Sequence, residues 1–94
     1  MESLSENTRV VASKDQVSCD LAGEAAILNL KNGVYYGLDP VGARIWTLIQ
    51  EQRTFAELRE TLLAEYEVEA AQLEADLRAL LAQLAEQQLI EITE

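Results

Sequence analysis

The dipeptide Asp39-Pro40 divides this chain of 94 residues into two parts with different apolar patterns. Upstream, apolar and polar residues alternate, which is typical of strands; downstream, apolar residues recur every three or four positions, which is typical of helices. Asp is a favourable N-cap, and Pro suits the first helical turn because its missing N–H would have no partner there. The chain is therefore predicted to form strands first and helices from Pro40 onward.

The first predicted strand has apolar side chains at every second position. Val17, Cys19 and Leu21 alternate with polar residues. Because successive side chains of a strand point to opposite faces, these three share one face, which we expect to lie in the core. A small buried thiol is then the expected state of Cys19.

Two further strands are predicted on either side of a hairpin turn. One apolar run covers residues 25–30 and the next covers residues 34–38, with Asn32-Gly33 between them. Asn-Gly between two such runs indicates a hairpin, since both residues tolerate positive φ. Together with the first strand, these runs predict a three-stranded antiparallel meander.

Three helices are predicted after the meander. The first begins at Pro40 and carries Trp46, which we expect in the core. Thr54-Phe55-Ala56-Glu57 matches a capping box at the start of the second helix. The third has leucines spaced by three and four over residues 73–84, and residues 89–92 are predicted to form a final strand or an extended tail.

This order of elements predicts an α+β fold, a three-stranded antiparallel sheet followed by three helices, with a winged helix-turn-helix outline. Residues 1–8 are polar and lack periodicity, so we expect a flexible N-terminus. Residues 9–94 are expected to form one domain, because a chain of this length supports one core.

The residue types present exclude most catalytic sites. The chain has no His, and Cys19 is its only cysteine, so a Ser-His or Cys-His pair and a four-ligand zinc site are excluded. Its many carboxylates are expected on solvated helix faces, and none has the spacing of a calcium loop. We expect no catalytic residue, no metal and no cofactor, and hence a protein that is not an enzyme.

The charge balance argues against a nucleic-acid partner. There are 17 Asp and Glu against 7 Lys and Arg, for a net charge of −10. The third predicted helix, which would occupy the DNA groove in a winged helix, carries four carboxylates against Arg78 alone, so DNA would be repelled. No secretion signal or membrane-spanning run is visible, and we expect a soluble cytoplasmic protein without a membrane partner.

Several motifs in order resemble the PqqD-like family over about residues 17–92. The core of the resemblance is the strand Tyr35-Tyr36-Gly37-Leu38, followed by Asp39-Pro40 and by a helix with Ile45-Trp46. One departure is Gln88, where the family often has Gly. The later matching segments are Thr54–Leu58, Tyr66–Val68, Asp76–Leu84 and Leu89-Ile90.

The resemblance implies recognition of the leader region of a ribosomally made precursor peptide. In such proteins the leader adds as an antiparallel strand to the third strand, in the cleft beside the third helix. A free-standing chain of this size is similar to the leader-binding proteins of lasso-peptide biosynthesis. Its implied partners are the precursor leader, a leader peptidase of the transglutaminase-like cysteine protease type, and the cyclase.

The residues themselves are compatible with this binding mode. A strand over residues 34–38 would be an edge with unpaired N–H and C=O groups, which is a template for strand addition. Tyr35 and Tyr36 point to opposite faces, and the sequence leaves open which one faces the peptide. The predicted peptide-binding residues are Val34, Tyr35, Tyr36, Gly37, Leu38, Leu73, Asp76, Leu77, Leu80 and Gln83.

Two other functions remain open on the sequence. The same outline suits a winged-helix regulatory subunit that pairs with a partner through its third helix. It also suits an accessory subunit that only stabilises an enzyme.

Overall fold

A computed structural model describes residues 5–93, which form three helices and two small antiparallel sheets of three strands each. The strands are β1 (Arg9–Ala12), β2 (Gln16–Leu21), β3 (Glu24–Asn29), β4 (Tyr35–Leu38), β5 (Arg53–Thr54) and β6 (Ile90–Thr93); the helices are α1 (Pro40–Ile49), α2 (Phe55–Glu65) and α3 (Ala70–Glu86). The predicted α+β class is confirmed.

The predicted meander is the sheet β2-β3-β4. Its hairpin between β3 and β4 is closed by Gly33, whose φ of 72° is the left-handed region that Gly adopts without strain. The Asn32 side chain accepts the Val34 N–H at 2.9 Å and so supports the turn. Both strands at the sides of this sheet, β2 and β4, are edges within the described residues.

A second sheet, β5-β1-β6, brings the two ends of the chain together. β1 pairs with the two-residue β5 and with β6, which confirms a strand at the C-terminal end. The sequence did not predict β1 or β5, because runs of four and two residues are too short for a period to be recognised.

The helix starts are those that the sequence predicts. The Asp39 carboxylate accepts the Gly42 N–H at 2.8 Å as the N-cap of α1. The capping box of α2 is complete: Thr54 Oγ1 accepts the Glu57 N–H, and the Glu57 carboxylate accepts the Thr54 N–H. Each pairing satisfies N–H groups that a helix N-terminus leaves open.

The core lies where the helices meet the inner face of the meander and the second sheet. Trp46 is 4% exposed, which confirms its core position, and the third-helix leucines Leu77 and Leu84 are buried. Side chains without any solvent contact come from nearly every element; they include Val10, Ile27, Ile49, Phe55, Leu58 and Leu81.

The prediction that the apolar face of the first strand lies in the core is wrong. Val17 is 55% and Leu21 54% exposed, and Cys19 is exposed with them. The reason is the side on which α1 packs. Helix α1 covers the face that carries Ala25 and Ile27 of β3, so the apolar side chains of β2 point away from the core.

Helix α3 ends in a Schellman motif in which Gln88 is the residue with the left-handed backbone conformation. The Leu89 N–H binds the Leu84 carbonyl and the Gln88 N–H binds the Ala85 carbonyl. Gln88 itself has φ 60°, the conformation for which Gly is preferred. The helix therefore ends at this point although the residue is Gln and not Gly.

The division into a flexible N-terminus, residues 1–8, and one domain, residues 9–94, stays a prediction, and residues 1–4 and 94 lie outside the described residues. Thr8 is buried, and its carbonyl accepts the Phe55 N–H at 2.8 Å. Glu6 forms an ion pair with Arg59 at 2.6 Å. The described residues just before β1 thus make contacts with α2.

Candidate binding cleft

A cleft of about 490 Å³ lies between β4, the start of α1 and one face of α3. Its walls are mainly apolar, with carboxylates at Asp39 and Asp76 and no Lys or Arg among the lining residues. The lining residues are Tyr36, Gly37, Leu38, Asp39, Val41, Gly42, Ile45, Tyr66, Val68, Gln72, Leu73, Asp76, Leu77, Leu80 and Gln83.

The free edge of β4 borders this cleft. Asn29 donates its backbone N–H to Val34, and the register pairs Ile27 with Tyr36. Because hydrogen-bonded pairs alternate along an antiparallel ladder, the backbone groups of Val34, Tyr36 and Leu38 face β3. The N–H and C=O groups of Tyr35 and Gly37 consequently point outward from the sheet edge.

The side chains of the two tyrosines of β4 point to opposite faces of the sheet, because successive residues of a strand alternate. Tyr36 is half-buried on the cleft side, and its hydroxyl donates to Oε1 of Gln83 on α3. Tyr35 is 70% exposed on the opposite face of the sheet. The structure therefore places Tyr36, and not Tyr35, against the cleft.

Helix α3 presents both apolar and polar side chains to the cleft. Leu77 is 1% exposed and forms its floor, whereas Leu80 is half-buried and closer to solvent. Asp76 is exposed and accepts a hydrogen bond from the Gln72 side chain at 3.0 Å. An extended peptide in the cleft would thus meet an apolar floor and an acidic wall.

Asn29 holds the C-terminal end of α3 against the sheet. Its side chain is buried, with 3% of the residue exposed, and Nδ2 donates to the Gln87 carbonyl at 2.8 Å. Oδ1 accepts the Lys31 N–H, also at 2.8 Å. A single buried amide therefore fixes the distance between the β3–β4 hairpin and α3, and with it the width of the cleft.

An ion pair fixes the other end of the cleft, where α2 gives way to α3. Arg44 of α1 donates two hydrogen bonds to the Glu65 carboxylate, at 2.9 and 2.6 Å. These bonds hold the pKa of Glu65 below its ordinary value. The pair ties α1 to the last residue of α2, next to Tyr66, which lines the cleft.

Eight of the ten predicted peptide-binding residues line the cleft, and two do not. Val34 and Tyr35 are exposed elsewhere, because Val34 precedes β4 and Tyr35 lies on the other face. Reasoning from sequence missed Val41 and Val68, because they lie at a helix start and at a break between helices, where no period predicts the direction of a side chain. That these residues bind peptide stays a prediction.

Residues 5–93 contain no grouping of three or more His, Cys, Asp or Glu side chains suited to hold a metal. Over the same residues, no helix is both long and apolar enough to cross a membrane.

Comparison with known proteins identifies relatives of this chain. The family model described as coenzyme PQQ synthesis protein D (PqqD) matches residues 24–90. The structure entitled "TbiB1 in Complex with the TbiA(beta) Leader Peptide" is 40% identical, with a TM-score of 0.82 over 86% of this chain and 94% of that one. No match was found among curated proteins.

A second solved structure is similar in fold. It is entitled "Lasso peptide synthetase B1 complexed with the leader peptide" and has a TM-score of 0.77 at 23% identity. The alignment covers 87% of this chain and 96% of that one. At this identity the likeness concerns the fold alone.

Proposed function

This chain belongs to the PqqD family, and from that premise we propose that it recognises the leader region of a ribosomally made precursor peptide, as a non-catalytic binding protein. The leader adds as an antiparallel strand to the free edge of β4. The observation that carries this proposal is the outward direction of the Tyr35 and Gly37 backbone groups beside an apolar cleft. Strand addition uses backbone groups for affinity and side-chain pockets for specificity.

The lining of the cleft defines the leader chemistry that fits it. Every second side chain of an added strand points to the cleft side, where Val41, Val68 and Leu80 offer exposed or half-buried apolar surface. Tyr36 is the aromatic residue best placed as an anchor. Asp76 would favour a Lys or Arg of the leader, since the cleft lining contains no cation.

We infer a place in lasso-peptide biosynthesis from the similarity of this chain to the free-standing leader-binding proteins of that pathway, and the 40% identical relative was solved with a leader peptide. In that place the protein delivers the precursor to a separate leader peptidase of the transglutaminase-like cysteine protease type, and then to the cyclase. Holding the leader beside the peptidase would raise the effective concentration of the scissile bond without any catalytic group of its own.

The proposal is tested by titrating the purified protein into a fluorescently labelled leader peptide from the adjacent precursor gene. We expect saturable binding at about micromolar concentration or below, in the absence of any enzyme. Amide hydrogen exchange in the same samples tests the binding mode. Strand addition predicts slower exchange at Gly37 and Tyr35, because their N–H groups would become hydrogen-bonded.

The titration tests leader recognition, and the hydrogen exchange tests strand addition, so each part of the proposal can fail separately. Binding without protection of the Gly37 and Tyr35 amides would contradict strand addition but keep leader recognition. Absence of binding at high protein concentration would contradict recognition itself and favour the accessory-subunit function.

Charge reversal at Asp76 is expected to weaken leader binding about threefold to tenfold, an effect typical of an exposed charge at an interface. The loss should shrink as salt is added, because the interaction is exposed and screened. The measurement is the leader titration with Asp76→Lys at low and high salt. Glu86→Lys is the matched control, since Glu86 is an exposed acid on the same helix that does not line the cleft. Equal affinities for both variants would remove Asp76 from the site.

A further inference from the structure

Strand β2 is the second edge of the meander sheet, on the side opposite to β4, and within residues 5–93 only β3 pairs with it. The Leu30 N–H binds the Asp15 carbonyl at 3.0 Å, which fixes the phase of the ladder between β2 and β3. Because bonded pairs alternate along an antiparallel ladder, the odd-numbered residues of β2 direct their backbone groups toward β3. The N–H and C=O groups of Ser18 and Asp20 consequently point outward, as a template for strand addition.

A groove of about 430 Å³ lies beside this edge, between β2 and one flank of α1. Helix α1 packs mainly on β3 and β4, so the side chains of Ser18 and Asp20, on the inner side of β2, are exposed. The helix contributes Ala43, Thr47 and Gln50 to the lining of the groove. A further strand therefore has room to pair with β2.

We propose that β2 pairs with β2 of a second copy of this chain, antiparallel and across a two-fold axis at Cys19, to form one six-stranded sheet. In this register Val17 lies opposite Leu21 of the second copy, and Cys19 lies opposite Cys19. All three exposed apolar side chains of β2 then gain an apolar neighbour. Ser18 and Asp20 of the two copies form the bonded pairs, in which the Ser18 hydroxyl can also donate to the Asp20 carboxylate.

The pattern of apolar residues selects this register over its neighbours. An axis at Ser18 places Asp15 opposite Leu21, and an axis at Asp20 places two carboxylates opposite each other. Of the possible axes along β2, the one at Cys19 alone gives all three exposed apolar side chains apolar partners. Strand β2 is therefore self-complementary, which favours a second copy over an unrelated strand as its partner.

The helices of two copies fit on the combined sheet. The axis is perpendicular to the sheet, so α1 of both copies lies on the same side. Strand β3 and its counterpart lie three strand spacings, or about 14 Å, apart, which leaves room for two helices of about 10–12 Å diameter. Both β4 edges and their clefts lie at the far ends of the six-stranded sheet, so pairing at β2 leaves leader binding free. The inference does not rest on the proposed function.

The net charge of the chain makes this association dependent on salt. Each copy carries a charge of −10, and added salt screens the repulsion between the copies. One strand pair is also smaller than the interfaces of stable dimers, which bury about 800 Å² per partner. We therefore expect a reversible dimer with a Kd of about 10–100 μM at 0.15 M salt, which tightens at least about threefold at 0.5 M. The measurement is sedimentation equilibrium, and a monomer at about 1 mM protein in 0.5 M salt would overturn the proposal.

Cys19, the only cysteine of the chain, provides a covalent test of the register. Opposed residues that exchange no hydrogen bonds have Cα atoms about 4.5 Å apart, which is within disulfide range. Purified protein is oxidised with diamide, and the disulfide-linked dimer is followed by its intact mass. The control is the double variant Val17→Cys, Cys19→Ser, in which the two thiols of a dimer would lie about 14 Å apart.

We expect the unchanged protein to form the linked dimer at least about tenfold faster than this double variant. Equal rates would indicate random collision or a different register and would overturn the proposal.

Ser18→Pro tests the β2 edge without thiol chemistry. Pro removes the outward N–H of Ser18, whereas the ladder to β3 loses no hydrogen bond. We expect the dimer to weaken at least about tenfold, and Ser18→Ala, which keeps the N–H, to stay within about threefold of the unchanged protein. Circular dichroism verifies that both variants fold. A folded Ser18→Pro variant that dimerises like the unchanged protein would overturn the proposal.

Discussion

Substitution of Gly37 by Pro is expected to weaken leader binding at least about 100-fold, equivalent to about 2.7 kcal/mol. The Gly37 N–H points to the free edge of β4, where the leader strand would pair, and Pro removes this donor. Its ring also occupies the place of the incoming backbone. The ladder to β3 is formed by the neighbouring residues Tyr36 and Leu38, so the sheet itself loses no hydrogen bond.

Gly37→Ala is the matched control for this substitution. A Cβ at position 37 meets no atom within 4 Å, and the N–H is retained, so binding within about twofold of the unchanged protein is expected. The measurement is the fluorescent leader titration, with circular dichroism and urea unfolding to verify that both variants fold. A folded Gly37→Pro variant that binds leader normally would exclude strand addition at β4.

Substitution of Asn29 by Asp is expected to cost about 3 kcal/mol of folding free energy, a large share of the stability of a small domain. The amide Nδ2 that donates to the Gln87 carbonyl becomes a carboxylate oxygen, which repels that carbonyl in a buried site. The contact from Oδ1 to the Lys31 N–H remains possible. The substitution therefore removes the contact between the sheet and α3 while retaining the local turn.

Urea unfolding at neutral pH measures this effect, with Asn32→Asp as the control. Asn32 is exposed, and its Oδ1 accepts a hydrogen bond from the Val34 N–H. An Asp carboxylate can accept the same bond, so Asn32→Asp should change the stability by less than about 0.5 kcal/mol.

The difference in stability between Asn29→Asp and the unchanged protein should shrink at low pH, because a protonated carboxyl can again donate to the Gln87 carbonyl. Leader affinity of the folded fraction should also fall, since α3 is no longer held at its distance from β4. Full stability of Asn29→Asp at neutral pH would show that this amide does not position α3.

The parts of the cleft that could be predicted from sequence are those formed by a regular strand or helix. The edge strand over Tyr35–Leu38 and the α3 side chains Leu73, Asp76, Leu80 and Gln83 follow from periods of two and of three to four. Val41 and Val68 did not follow, because they enter the cleft at a helix start and at a break between helices, where no period applies.

Local signals in the sequence determined the order and the limits of most elements. Asp39-Pro40, the capping box at Thr54 and Asn32-Gly33 act through hydrogen bonds and dihedral preferences within a few residues. Alternation in β2 likewise determined which side chains share a face: Val17, Cys19 and Leu21 do lie together.

Only the tertiary structure decided which of the two faces of the meander became the core. Helix α1 packs on the side of Ala25 and Ile27, and this choice leaves the apolar side chains of β2 in solvent. The tertiary structure also decided that Tyr36 and not Tyr35 faces α3, and that the Asn29 side chain binds the Gln87 carbonyl, 58 positions away in the sequence. Burial depends on what packs against a strand, and that contact is made between residues far apart in the chain, so a pattern of alternation defines two faces without saying which one is covered.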